Sequence, residues 1–149
     1  MKRYLFIIIL IIILMSLFSF FKKDSGSQQV KNSSESNFII LTIRPGVEPQ
    51  ERESRYGDPI DNLLKEKGLG EVTGGGTMLN NPDENNKQTF EFSDVEIEMA
   101  SHSKKGLEVL LEGLKKNNFP ENTEIMLWDS NETKFDSISA FNRYLNSIN

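Results

Sequence analysis

Cysteine is absent from this chain, histidine and tryptophan occur once each (His102 and Trp128), and basic side chains are outnumbered by acidic ones, 17 to 22. Without cysteine there is no disulfide framework, no thiolate nucleophile and no lipid-modified cysteine anchor. A single imidazole rules out a His-rich zinc site and any scheme that needs two imidazoles. No G-x-S-x-G element occurs, and the glycine run Gly74–Gly76 is not followed by Lys-Ser/Thr and a helix. Neither the hydrolase nucleophile elbow nor a nucleotide-binding loop is therefore written here. The reading is of a non-enzyme with no metal and no cofactor.

What is present begins with Tyr4–Phe21, YLFIIILIIILMSLFSFF, eighteen residues without charge, Pro or Gly. As a helix it would be roughly 27 Å long, close to the ~30 Å hydrocarbon core of a bilayer. Fourteen of the eighteen are Leu, Ile or Phe, which favours insertion by roughly 4 to 8 kcal/mol. A buried helix of a soluble protein would not be apolar on every face. The alternative is a cleaved secretory signal with Met1, Lys2 and Arg3 as its leader and Ser25 and Ser27 as a small-x-small site, giving a secreted domain of the same fold. The run exceeds an ordinary h-region and ends in Phe20, Phe21, Lys22 and Lys23, which suits a retained single-pass signal-anchor in the cell membrane. Basic residues flank both sides almost equally; the export-like start places the C-terminal part outside the cytoplasm.

The chain then divides into an anchor (residues 1–23), a flexible polar linker (24–37) whose composition cannot bury enough surface to order itself, and a domain (38–149) of ordinary single-domain size. Removing the five Lys/Arg and two Asp/Glu of residues 1–37 leaves 12 basic and 20 acidic residues, a net charge near −8. That argues against nucleic acid and against attraction to anionic lipid headgroups.

Phe38–Arg44 (FIILTIR) reads as a central strand stopped by Pro45 and Gly46, and Val47–Gly57 as a loop with an irregular helical turn. Asp58 and Pro59 read as the cap and first position of a helix carrying Ile60, Leu63 and Leu64 and stopped by Gly68. Glu71–Leu79 and Thr89–Met99 read as two strands around a polar loop. The phase change from Phe90 and Phe92 to Val95, Ile97 and Met99 predicts a bulge at Ser93 and Asp94. Ser103 caps a helix bearing Leu107, Leu110, Leu111 and Leu114; Glu124–Trp128 is a last strand and Asp136–Ile148 a tail helix. The expectation is an α+β protein: a transmembrane helix followed by a ferredoxin-like βαββαβ domain with an added C-terminal helix. One sheet face lies under helices, and the open one carries Glu91, Glu96 and Glu98.

The stretch DPIDNLLKEKGLGEVTGGGT (Asp58–Thr77), with SDVEI at Ser93–Ile97, resembles a small bacterial domain of ferredoxin-like type. The likeness covers about half the chain, leaves out the anchor, and implies the fold but no activity.

Two sets of residues are candidates for a site. Thr73, Gly74, Gly75, Gly76 and Thr77 offer backbone N–H groups to a small anion, although a bent strand or a close backbone approach needs the same glycines. Glu91, Asp94, Glu96 and Glu98 offer a partner-binding surface; they could also be read as a cation site, or simply as a solvated strand face. Glu71, Asp94 and Glu96 do not select themselves as an acid–base pair, and His102, between Ser101 and Ser103, reads as a surface residue. The function expected is a membrane-anchored acidic module that binds a basic protein, such as an immunity-type protein facing an incoming toxin. The alternative is a ligand- or anion-sensing domain built on the Gly74–Gly76 bend.

Overall fold

A computed structural model describes residues 37–129 and 132–148, which belong to one compact unit, Glu35–Asn149. The expected transmembrane helix and the linker up to residue 36 lie outside these residues, and Asn37, expected to end the linker, opens the first strand; among the described residues, no helix is long and apolar enough to cross a membrane. The domain is α+β, an antiparallel sheet with helices against one face.

Strand β1 (Asn37–Ile43) is apolar on both sides because it lies in the middle. It pairs antiparallel with β4 (Phe90–Met99) on one flank and with β5 (Glu124–Trp128) on the other. Beyond β4 lie β2 (Gly70–Gly74) and β3 (Thr77–Leu79), and beyond β5 lies β6 (Thr133–Phe135), so the order is β2–β4–β1–β5–β6 with β3 also on β4. The in-register pairs Ile39–Ile97, Leu41–Val95, Ile39–Leu127 and Leu41–Ile125 put one row of side chains into the core. Ile60 and Leu64 of α1 (Asp58–Lys67), Leu107, Leu110 and Leu114 of α2 (Lys104–Lys116) and Ile138, Phe141 and Leu145 of α3 (Ile138–Ser147) close over them. Each fully buried leucine of this set contributes about 2 kcal/mol.

The helix starts follow local chemistry. The Ser103 Oγ accepts from the Gly106 N–H at 3.3 Å and the Ser137 Oγ from the Ala140 N–H at 3.1 Å, so both caps satisfy an otherwise unpaired donor. Ser137 rather than Asp136 therefore opens the tail helix. Asp58 does not cap α1. The chain arrives there already helical, through the turn Pro49–Glu51 and a π-helix Arg52–Gly57, and Gly57 itself has φ −64° and ψ −61°. Tyr56, buried in this segment, packs on the Phe119 ring at 4.7 Å and anchors the irregular turn to the core.

Three strand expectations are corrected. Ser93 and Asp94 carry no bulge: β4 runs in register with β1 from Ser93 to Met99. Ser93 occupies a core-facing position because its hydroxyl accepts from the Val47 N–H and donates to the Val47 carbonyl, both at 3.0 Å. That polar core residue hides the alternation and mimics a phase slip. The irregularities instead fall between β4 and its outer neighbours, one at Val72–Gly74 and one at Met78–Leu79. Glu71–Leu79 is two strands, interrupted at Gly75 and Gly76. Strand β6 was not expected; it is only three residues long.

Gly75 sits at φ +155°, and a Cβ there would collide with the Asp94 carbonyl oxygen. Gly76 has open space around its Cα. Gly75→Ala is expected to lower stability by about 2 kcal/mol or more, and Gly76→Ala by under about 1 kcal/mol, in urea unfolding. Equal losses would show that the interruption, not the close approach, selects glycine.

Candidate functional site: the open face of the sheet

Side chains alternate along a strand, so the residues between the core positions stand on the face opposite the helices. The ladder sorts them into rows. Glu98 of β4 is paired with Phe38 of β1 and, on its other side, with Glu71 of β2; Phe38 is paired in turn with Trp128 of β5. The next row runs Gly74, Glu96, Ile40, Met126 and Lys134, and the third runs Asp94, Thr42 and Glu124. Two lanes result. Along β1 and β5 lie Phe38, Ile40 and Met126, half-buried, and Trp128, which is 51% exposed. Along β4 lie Glu96 and Glu98, exposed, and Asp94, half-buried.

The charges differ in how they are compensated. The Glu124 carboxylate takes Lys134 Nζ at 2.7 Å and Arg44 Nε at 3.3 Å, so both cations near β5 are already engaged. The Lys134 hydrogen bond, followed by the Arg44 contact, holds the Glu124 carboxyl below its ordinary range against the opposing effect of burial. Glu71 is met by Lys65 at 3.3 Å. Glu96 and Glu98 form no ion pair among the described residues, and the facing Glu71 and Glu98 are like charges, a pairing that costs roughly 0.2–1 kcal/mol. Asp94 Oδ1 is closed to solvent and accepts no hydrogen bond from any described residue. Glu91 stands apart from this lane: it is the β4 residue skipped at the irregularity facing Met78–Leu79, 4.0 Å from Arg44. The acidic set named from sequence is thus split, with Asp94, Glu96 and Glu98 together and Glu91 in the ion pairs at the other end.

Thr73 and Gly74 end β2, Thr77 opens β3, and Gly75 and Gly76 join the two strands along β4. The Gly76 carbonyl accepts from the Asp94 N–H at 2.8 Å, and the Thr77 hydroxyl meets the Ser93 hydroxyl at 3.1 Å. Thr73 and Gly74 border a groove of about 240 Å³ together with Arg52, Glu53, Asp58 and Asp61. Three carboxylates to one guanidinium make that groove unfavourable for an anion. Asp61 is committed as well: its Oδ1 accepts from the Val72 N–H at 2.9 Å and its Oδ2 pairs with Lys65 at 3.0 Å. Burial acts to raise the Asp61 carboxyl, but the Lys65 and Val72 hydrogen bonds outweigh it and hold it below its ordinary range.

His102 is corrected from a surface residue to a partly buried one whose side chain is largely covered. Its side chain is 9% exposed, and its Nδ1 lies 3.3 Å from Asp129 Oδ2 at the end of β5. Its Nε2 is closed off with no hydrogen-bond partner among the described residues, so no hydroxyl stands where an imidazole base would need a nucleophile. No group of three or more His, Asp or Glu able to hold a metal occurs among the described residues.

No protein-family model and no curated protein matches the chain. A solved structure of a phage SAM lyase in complex with S-methyl-5'-thioadenosine is similar at 9% identity and a TM-score of 0.36, covering 69% of this chain and 91% of that one. That protein is an enzyme, and the expectation of a non-enzyme is withdrawn. A likeness this distant assigns no activity to this chain.

The residues missed from sequence are the apolar lane. FIILTIR is a continuous apolar run, which conceals that its alternate members face outward, and the usable signal was Trp128 ending a strand beside a charged loop.

Since Asp61 and Glu124 both have lowered folded-state carboxyls, their stabilisation is present above the ordinary carboxylate range and is lost as pH falls through their folded values. Unfolding midpoints should therefore drop on acidification below about pH 4. Asp61→Asn and Glu124→Gln should each make the profile shallower; an unchanged slope in both would remove these pairs as its cause.

Proposed function

We propose that the protein is a membrane-tethered binding module whose acidic, open sheet face receives a basic protein partner outside the cytoplasm. The observation that carries this is the imbalance on that face: Glu96 and Glu98 are exposed without a cation partner among the described residues, while the nearby Arg44 and Lys134 are held by Glu124. The domain is read as ferredoxin-like, with β2 and β3 together as its second strand. The strand order and the helices on one face only are what support that reading. The tether is Tyr4–Phe21, whose length and uniform apolarity favour a bilayer. Uncompensated exposed carboxylates steer a basic partner and set its register more than they add affinity, which makes such binding strongly salt-dependent.

Two measurements test this. The intact chain should sediment with membranes and resist an alkaline wash; recovery of the unprocessed chain in the aqueous fraction overturns the tether. A basic protein captured at about 50 mM salt should be lost at about 300 mM salt and lost with Glu96→Lys/Glu98→Lys. Capture unaffected by salt and by the charge reversal overturns the acidic-face reading.

A further inference from the structure

The apolar lane specifies what kind of segment the partner presents, an inference that rests on the acidic-face reading. A partner bound by charge alone would need only β4. Here Phe38, Ile40, Met126 and Trp128 lie side by side across β1 and β5, in register with Glu96 and Glu98 on the adjacent strand. An apolar stripe running parallel to an acidic one has its complement in an element with an apolar side and a basic flank.

The sheet edges do not invite that element to add as a strand. The β2–β3 edge is broken at Gly75 and Gly76 and carries two register irregularities, and β6 offers three residues. Short or bulged edges oppose strand addition. The face, by contrast, lacks a layer among the described residues, and a helix is what covers a sheet face. The rows from Trp128 to Glu124 span roughly 14 Å at ~3.4 Å per residue, which corresponds to about nine helical residues at 1.5 Å each. Two to three turns suffice to place apolar residues at i, i+3, i+4 and i+7 over the lane. A second copy of this chain fits poorly, since its own face repeats Glu96 and Glu98 and the domain carries a net charge near −8.

We propose that the open face is a cradle for a basic amphipathic helix of a partner protein. The helix lies along β1, its apolar side over Phe38, Ile40, Met126 and Trp128 and its Lys/Arg flank over Glu96 and Glu98.

Trp128 is the only tryptophan in the chain and is half exposed at one end of the contact, in the row of Phe38 and Glu98, so its emission reports on the cradle alone. The probe is a tryptophan-free synthetic peptide of about sixteen residues with Leu on one side and Lys on the neighbouring flank. It is titrated into the full chain held in zwitterionic nanodiscs, with empty discs as the blank. A saturable blue shift of Trp128 is expected. Affinity should fall at least about tenfold with Glu96→Lys/Glu98→Lys, with Met126→Gln, and with a peptide whose Leu residues are replaced by Ser. The Ser-substituted peptide keeps the test decisive if Met126→Gln does not fold. Salt-sensitive binding without a Trp128 shift, equally strong for the Ser-substituted peptide, overturns the cradle and leaves the acidic-face reading standing. Failure of every peptide to bind, together with salt-insensitive capture of the basic protein, overturns both. A free-chain emission already blue and unmoved by peptide, or a concentration-dependent dimer that the peptide does not disrupt, overturns the cradle by assigning the face to the chain itself.

Discussion

Strand β1 has a partner strand along each flank and apolar side chains on both faces, and the rest of the domain follows from that. Ile39, Leu41 and Ile43 are almost fully excluded from water, whereas Phe38, Ile40 and Thr42 on the reverse side are only half so. Its registers with β4 and β5 are uninterrupted, so one strand aligns both halves of the sheet. A one-residue slip in either ladder would carry the isoleucines and leucines to the solvent side. The helices answer for one face through their leucine and phenylalanine stripes. The other face keeps Phe38 and Ile40 on β1 beside the acidic residues of β4, so the two strands differ in polarity on the same side of the sheet.

The two edges are built differently. On the β5 side, Glu124 ties Arg44 at the end of β1 to Lys134 of β6, so one carboxylate links three strands. On the β2 side the ladder is irregular, and Asp61 of α1 takes over by accepting from the Val72 N–H. A buried-edge donor left without that acceptor would cost about 1–3 kcal/mol, which is more than an exposed ion pair returns. The acidic lane lies between these edges, on the strand whose ladder with β1 is uninterrupted while its ladders with β2 and β3 are not.

Element types were largely legible in the residues. The order strand, helix, strand, strand, helix, strand, helix is found, with β6 added and the second strand broken, because leucine periodicity and cap residues such as Ser103 act locally. What escaped depends on tertiary contacts. Ser93 is polar yet core-facing because Val47, 46 positions earlier, supplies both hydrogen-bond partners. His102 is largely covered by elements that meet only after folding. Half of the candidate site was visible as alternating acids at Asp94, Glu96 and Glu98; that Glu91 sits beside Arg44 instead, at a register irregularity, is not written in the alternation. The apolar half was hidden inside a run that looks like core from either side.

Gly113 in α2 has its Cα pressed against α1: a methyl group there would come within 2.6 Å of Leu63 and 3.0 Å of Ile60. The same helix α1 holds Asp61, whose carboxylate pins the glycine-rich border of the sheet at Val72. Helix α1 thus touches α2 at Gly113 through one side and the sheet border at Val72 through another. Bulk added deep in the helical layer would be felt as slack in the outermost strand, at a remove from any residue it touches.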